Sequence, residues 1–127
     1  MSPFVTGDKA ILVVEDDAAS RESLREFLEY HGYKVKCAEN GNVALEQIET
    51  AKISPRLILL DLSMPAMDGW TFLRCIRQRC GLREVAILVI SGDGSAPISH
   101  TAAVLLKPVD PKSLLSLVKR FVGEPSA

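Results

Sequence analysis

The chain has 127 residues, 47% hydrophobic and 24% charged, enough for one domain with a filled core and too few for two. Lys and Arg number 15 against 16 Asp and Glu, a formal charge of −1, which argues against a protein held to nucleic acid by a basic excess. No apolar run approaches the roughly 18–20 residues that cross a bilayer. The opening MSPFVTGDK lacks the basic-then-apolar order of a secretory signal. Cys37, Cys75 and Cys80 are odd in number and form no CxxC, unlike a disulfide framework or a zinc site. The expectation is a soluble, cytoplasmic protein of one domain, residues 1–127 with a core at about 10–122, without contact to a membrane.

Ala10 to Val14 is a short apolar run, sized for a strand buried on both faces. After Glu15-Asp16-Asp17, the spacing of Leu24, Phe27 and Leu28 predicts a helix that ends near His31-Gly32. Tyr33 to Ala38 reads as a weaker second strand. Asn40-Gly41 opens a helix with Ala44, Leu45 and Ile48 on one face, which Pro55 breaks. Leu57 to Leu60 is the third strand, closed by Asp61, and residues 63–69 form a loop. Phe72, Leu73 and Ile76 then mark the buried stripe of a third helix. Ala86 to Ile90 and Val104 to Leu106 are strands four and five, stopped by Ser91-Gly92 and Lys107-Pro108. Asp110-Pro111 starts a last helix, a capping carboxylate before Pro in the first turn, with Leu114, Leu117, Val118 and Phe121 as its stripe. Strands alternating with helices imply right-handed crossovers and a parallel sheet covered on both faces.

In such a sheet the carboxyl ends of all strands share one edge, where ligands bind. Strand one ends in Glu15-Asp16-Asp17, strand three in Asp61, strand four in Ser91 and strand five in Lys107. Crowded carboxylates resist joint ionisation, and a divalent cation relieves them. An all-oxygen site with spare water positions suits Mg²⁺. A metal beside a free carboxylate, a lysine and a hydroxyl equips the edge for phosphoryl transfer onto the carboxylate.

The motifs ILVVEDD at 11–17, LILLDLSMPAMDGW at 57–70, Ser91-Gly92 and LLKP at 105–108, in that order, resemble the receiver domains of two-component response regulators, the CheY-like family. The resemblance spans Ala10 to about Val122. It implies a doubly wound five-stranded parallel sheet of order 2-1-3-4-5. It implies that Asp61 is the phosphoacceptor, Asp16 a direct metal ligand, Glu15 the neighbouring acid that holds metal-bound water, and Ser63 a ligand through its backbone carbonyl. Ser91 matches the switch hydroxyl, Gly92 the small residue that lets donors approach, and Lys107 the family lysine, ahead of a Lys107–Pro108 bond often held cis. The implied function is a phosphorelay receiver that takes a phosphoryl group from a sensor histidine kinase or a histidine phosphotransfer protein, with Mg²⁺ as cofactor. It would catalyse only its own phosphorylation and dephosphorylation, and would switch binding to a downstream protein target. No output domain is expected in this chain.

The bland readings are kept for Asp17 and Asp110 as helix caps, for Arg74, Arg77, Arg79 and Arg83 as a solvated face, and for Cys75 and Cys80 as packing or surface thiols. A phosphatase of the haloacid-dehalogenase type would need a second Asp where Ser63 stands, and a flavodoxin-like nucleotide binder would be repelled by Glu15-Asp16-Asp17. A phosphorylation-independent pseudo-receiver stays open as a protein-interaction module, because Val104 stands where the family often has an aromatic switch residue. So does a receiver cut from a longer regulator or hybrid kinase. The segment from Ser91 to Ala103 is short and holds Gly92, Gly94 and Pro97. The helix between strands four and five, helix four in the family's order, is therefore expected to be shortened or absent.

Overall fold

A run such as Ala10-Ile11-Leu12-Val13-Val14 offers no polar face, so it is stable only where both of its sides are covered. The computed structural model, which describes residues 10–50, 55–62, 69–78, 85–92 and 101–125, buries all five of these side chains in strand β1 (Ala10–Val14). The chain continues through α1 (Ala18–Tyr30), β2 (Val35–Ala38), α2 (Gly41–Thr50), β3 (Pro55–Asp61) and α3 (Gly69–Gln78). It ends with β4 (Ala86–Ser91), β5 (Ala103–Leu106) and α4 (Pro111–Val122). The five strands form one parallel sheet in the order β2-β1-β3-β4-β5. The shortened helix expected between β4 and β5 falls on residues 93–100, which lie outside the described residues.

The apolar strands each carry two alternating rows, because successive side chains point to opposite faces. Leu12, Val14, Ile58, Leu60, Ile87 and Val89 pack with Ala44 and Leu45 of α2 and with Phe72, Leu73 and Ile76 of α3. Ile11, Val13, Leu57, Leu59 and Leu88 pack on the other face with Leu28 of α1 and with Leu114, Val118 and Val122 of α4. Of the expected α4 stripe, Leu114 and Val118 are buried, Val122 joins them, and Leu117 and Phe121 are only partly buried at its margin.

Local signals set the ends of the helices. Asp17 caps α1 by accepting from the Ser20 N–H at 2.8 Å, and Asp110 caps α4 by accepting from the Ser113 N–H at 3.0 Å. Asn40 does the same for α2, with its Oδ1 accepting from the Val43 N–H at 2.8 Å. Past α1, Gly32 takes a φ of 93°, a conformation that L side chains rarely adopt. Two expectations shift. The second strand begins at Val35 rather than Tyr33, whose buried ring instead sends its hydroxyl to the Gly123 carbonyl at 2.7 Å. Pro55 opens β3 as its first residue, opposite Ala10, a position where the missing N–H is tolerated.

Candidate functional site

The carboxyl edge of the sheet gathers the charged residues because the strands stop there together. Val14 is the last paired residue of β1, opposite Ala38 and Leu60. Glu15 follows it directly, and Asp61 follows Leu60 on the neighbouring β3. The register that aligns the apolar rows therefore brings the acids side by side. One oxygen each of Glu15, Asp16 and Asp61 lies within 4.8 Å of the others, with Glu15 and Asp61 buried and Asp16 exposed.

Burial pushes the Glu15 carboxyl up from 4.5 to about 7; the Asp17 N–H, donating to Glu15 Oε2 at 3.1 Å, pulls the other way, and the Asp61 and Asp16 carboxyls add to the rise. The backbone carbonyl of Glu15 has its own partner: Arg21 Nη1, one turn into α1, donates to it at 2.9 Å.

Lys107 stands just past β5, and its Nζ lies 3.2 Å from Asp61 Oδ2. Since β5 is the outer strand and β3 the central one, this side chain passes over the end of β4. Asp61 is 3% exposed and Lys107 41%, so the ammonium sits at the mouth and the carboxylate at the floor. Burial lowers the Lys107 pKa, but the hydrogen bond to Asp61 and the charges of Asp61, Glu15 and Asp16 outweigh it and hold the amine above its ordinary value. The Lys107 N–H donates to the Ser91 carbonyl at 2.9 Å, which locks the ends of β4 and β5 together, and the Lys107–Pro108 bond is cis.

Ser91 is buried at the end of β4, one residue beyond Ile90, the register partner of Asp61. A Cβ added at the exposed Gly92 would meet nothing within 4 Å. The edge thus brings together Glu15, Asp16, Asp61 and Lys107, with Ser91 on the adjoining strand. Ser63 lies outside the described residues. Beside Glu15 opens a groove of about 530 Å³, lined among others by Glu15, Leu24 and Phe27 of α1, Ile90, Lys107 and Val109.

Sequence reasoning missed the groove and Arg21, because neither has a spacing signal. It also placed Arg77 on a solvated face. Arg77 is half-buried at the end of α3 and donates to the Val85 carbonyl at 2.8 Å, and burial lowers its pKa. Cys75 does pack against the core on the α2–α3 face, whereas Cys80 lies outside the described residues.

Glu15, Asp16 and Asp61 together offer a hard set of carboxylate oxygens, of the kind that suits Mg²⁺, Ca²⁺ or Mn²⁺ better than metals that prefer thiolate or imidazole. No helix among the described residues is long and apolar enough to cross a membrane.

Comparison with known proteins agrees with this geometry. The family model described as "Response regulator receiver domain" matches residues 11–119. The chain is 33% identical to the transcriptional regulatory protein ResD of Bacillus subtilis, over 95% of this chain and 51% of that protein. It is 31% identical to the hybrid signal transduction histidine kinase M of Dictyostelium discoideum, over 88% of this chain and 5% of that protein. The chain therefore spans about half or less of these relatives' length. Among solved structures, a putative response regulator from Chloroflexus aurantiacus superposes with a TM-score of 0.81 at 29% identity, covering 91% of this chain and 98% of that one. The chemotaxis protein CheY4 of Vibrio cholerae gives 0.79 at 26% identity, covering 88% and 97%.

Proposed function

The chain belongs to the response regulator receiver domains, and from that premise we propose that it accepts a phosphoryl group on Asp61 in a two-component phosphorelay. The observation that carries this reading is Asp61 itself, a buried carboxylate whose Oδ2 lies 3.2 Å from Lys107 Nζ within a cluster of three acids. The donor is a histidine kinase or a histidine phosphotransfer protein. An Asp61 oxygen attacks phosphorus, the phosphorus–nitrogen bond of the donor imidazole breaks, and the imidazole nitrogen leaves with the bonding pair and takes a proton.

Glu15, Asp16 and Asp61 would hold Mg²⁺, together with the Ser63 carbonyl that the family resemblance assigns. When bound, the ion supplies positive charge against the phosphoryl oxygens. Lys107 already neutralises Asp61 and is placed to follow the charge onto the phosphoryl group. Ser91 would donate its hydroxyl to a phosphoryl oxygen, and the open space over Gly92 leaves room for the donor. The groove along α1 leads to Glu15 and Lys107, so a partner seated in it stands beside the acceptor. The product switches binding to a protein target. A formal charge of −1 supports a target that is protein rather than nucleic acid for this chain.

Intact mass after incubation with Mg²⁺ and a small acyl phosphate tests the reading. Wild type should gain one phosphoryl group, and Asp61→Asn, Asp16→Ala and EDTA-treated wild type should gain none. Stable phosphate on Asp61→Asn, or equal labelling in EDTA, would sink it. A wild type that takes no label under any donor would point instead to a pseudo-receiver.

A further inference from the structure

The backbone at Glu15 has a problem that neither the sheet nor the helix solves. The ladder of β1 ends at Val14, and α1 begins only at Ala18. The Glu15 N–H still reaches the Ala38 carbonyl at 3.1 Å. Its carbonyl lies beyond the ladder, on a residue that is 3% exposed, where an unpaired acceptor is costly. Arg21 closes the gap with its Nη1 at 2.9 Å. It does so from a fixed base, because Arg21 N donates to the Asp17 carbonyl in the first turn of a helix that Asp17 caps.

We propose that Arg21 is a positioning residue for cation binding: by holding the Glu15 carbonyl it sets the peptide plane between Glu15 and Asp16, and so the directions of both carboxylates. This rests on the reading of Glu15, Asp16 and Asp61 as a Mg²⁺ site. That peptide unit joins the two acids, and a change in ψ at Glu15 that is not compensated in φ at Asp16 turns their Cα–Cβ bonds relative to each other. Glu15 is pinned at its N–H by Ala38 and at its carboxylate by Asp17. The carbonyl is the remaining free joint, and Arg21 closes it. Asp16 is exposed, so packing does little to aim it. Its aim depends on the backbone that carries it.

The proposal has a signature that separates geometry from charge. Mg²⁺ demands near-ideal octahedral ligands, whereas Ca²⁺ accepts flexible coordination. Loosening the peptide plane should therefore weaken Mg²⁺ more than Ca²⁺. Removing a positive charge near three acids does the opposite, strengthening both cations together.

The experiment is calorimetric titration of Mg²⁺ and Ca²⁺ into wild type, Arg21→Ala and Arg21→Met, with thermal melts of the metal-free proteins alongside. Arg25→Ala is the charge control. Arg25 lies one turn further along α1 and pairs with Glu22 on its exposed side. Loss of an orienting partner behind metal ligands typically costs 10–100-fold in affinity. For both Arg21 variants, the expectation is a loss of about tenfold for Mg²⁺, a smaller loss for Ca²⁺, and no such loss in Arg25→Ala. Arg21→Met keeps the apolar stem and removes only the donors, which protects the result if Arg21→Ala folds poorly. An equal change for the two cations, a gain in affinity, the same shift in Arg25→Ala, or failure of Arg21→Met to fold would each overturn the proposal. A wild type that binds neither cation would instead overturn the metal-site reading beneath it.

Discussion

Glu15 is an acid in a place that suits a neutral group. In the unfolded chain its carboxyl titrates at 4.5, and in the folded protein at about 7, so the native state keeps a proton that the unfolded state gives up. The associated stability is fully present below pH 4.5 and is lost as pH rises through about 7. The metal-free protein should therefore lose melting temperature between pH 5 and 8, and Glu15→Gln should flatten that slope by removing the titration. A slope that survives in Glu15→Gln would place its origin in another group. Asp17, next but one, carries a different kind of perturbation. Its carboxyl is held below the usual range by hydrogen bonds from Ser20, as a cap should be, and takes no part in the acid cluster.

The elements show how far a pattern of residue types reaches. Apolar runs located all five strands, and the residues that stop them located the edge where Asp61, Ser91 and Lys107 stand. Capping was equally legible at Asp17 and Asp110, since a short polar side chain before a helical stripe has one main use. Asp110→Ala should accordingly lower stability by about 1 kcal/mol in denaturant unfolding, without changing the acid site at the far end of Lys107-Pro108. Partnerships between distant residues left no such trace. The Tyr33 hydroxyl bonds a carbonyl 90 residues away, and a tyrosine beside a strand reads simply as part of the strand. Arg21 and Arg77 each bond a backbone carbonyl, and any exposed-looking arginine on a helix would read the same. The alternating rows of β1 and β3 were hidden for a related reason. A strand buried on both faces is apolar at every position, so composition alone does not say which residue meets which helix.

The whole molecule is a sheet with its acceptor in the middle and its lysine at the rim. Asp61 ends β3, which has two strands on either side, while Lys107 follows β5, which pairs with β4 alone. Strands lie roughly 4.8 Å apart, so the bond between Asp61 and Lys107 covers about two strand spacings. It acts as a strap thrown over β4 and fastened at the centre. Besides the packing of Ala103, Val104 and Leu105 on the two core faces, the outermost strand is held by a ladder to its neighbour and by this side chain to the middle. Lys107→Met would cut the strap and leave the ladder, including the contact of residue 107's N–H with Ser91. Amide exchange in residues 103–106 should then speed up by about threefold, the scale of a partly exposed ion pair, while β1 and β3 stay unchanged. Unchanged exchange in β5 would mean that the ladder and the core packing hold the rim without the strap. If the strap bears load, the sheet has no need to deform to report what happens at its centre. A change of charge on Asp61 would reach the rim as slack or tension in a single side chain.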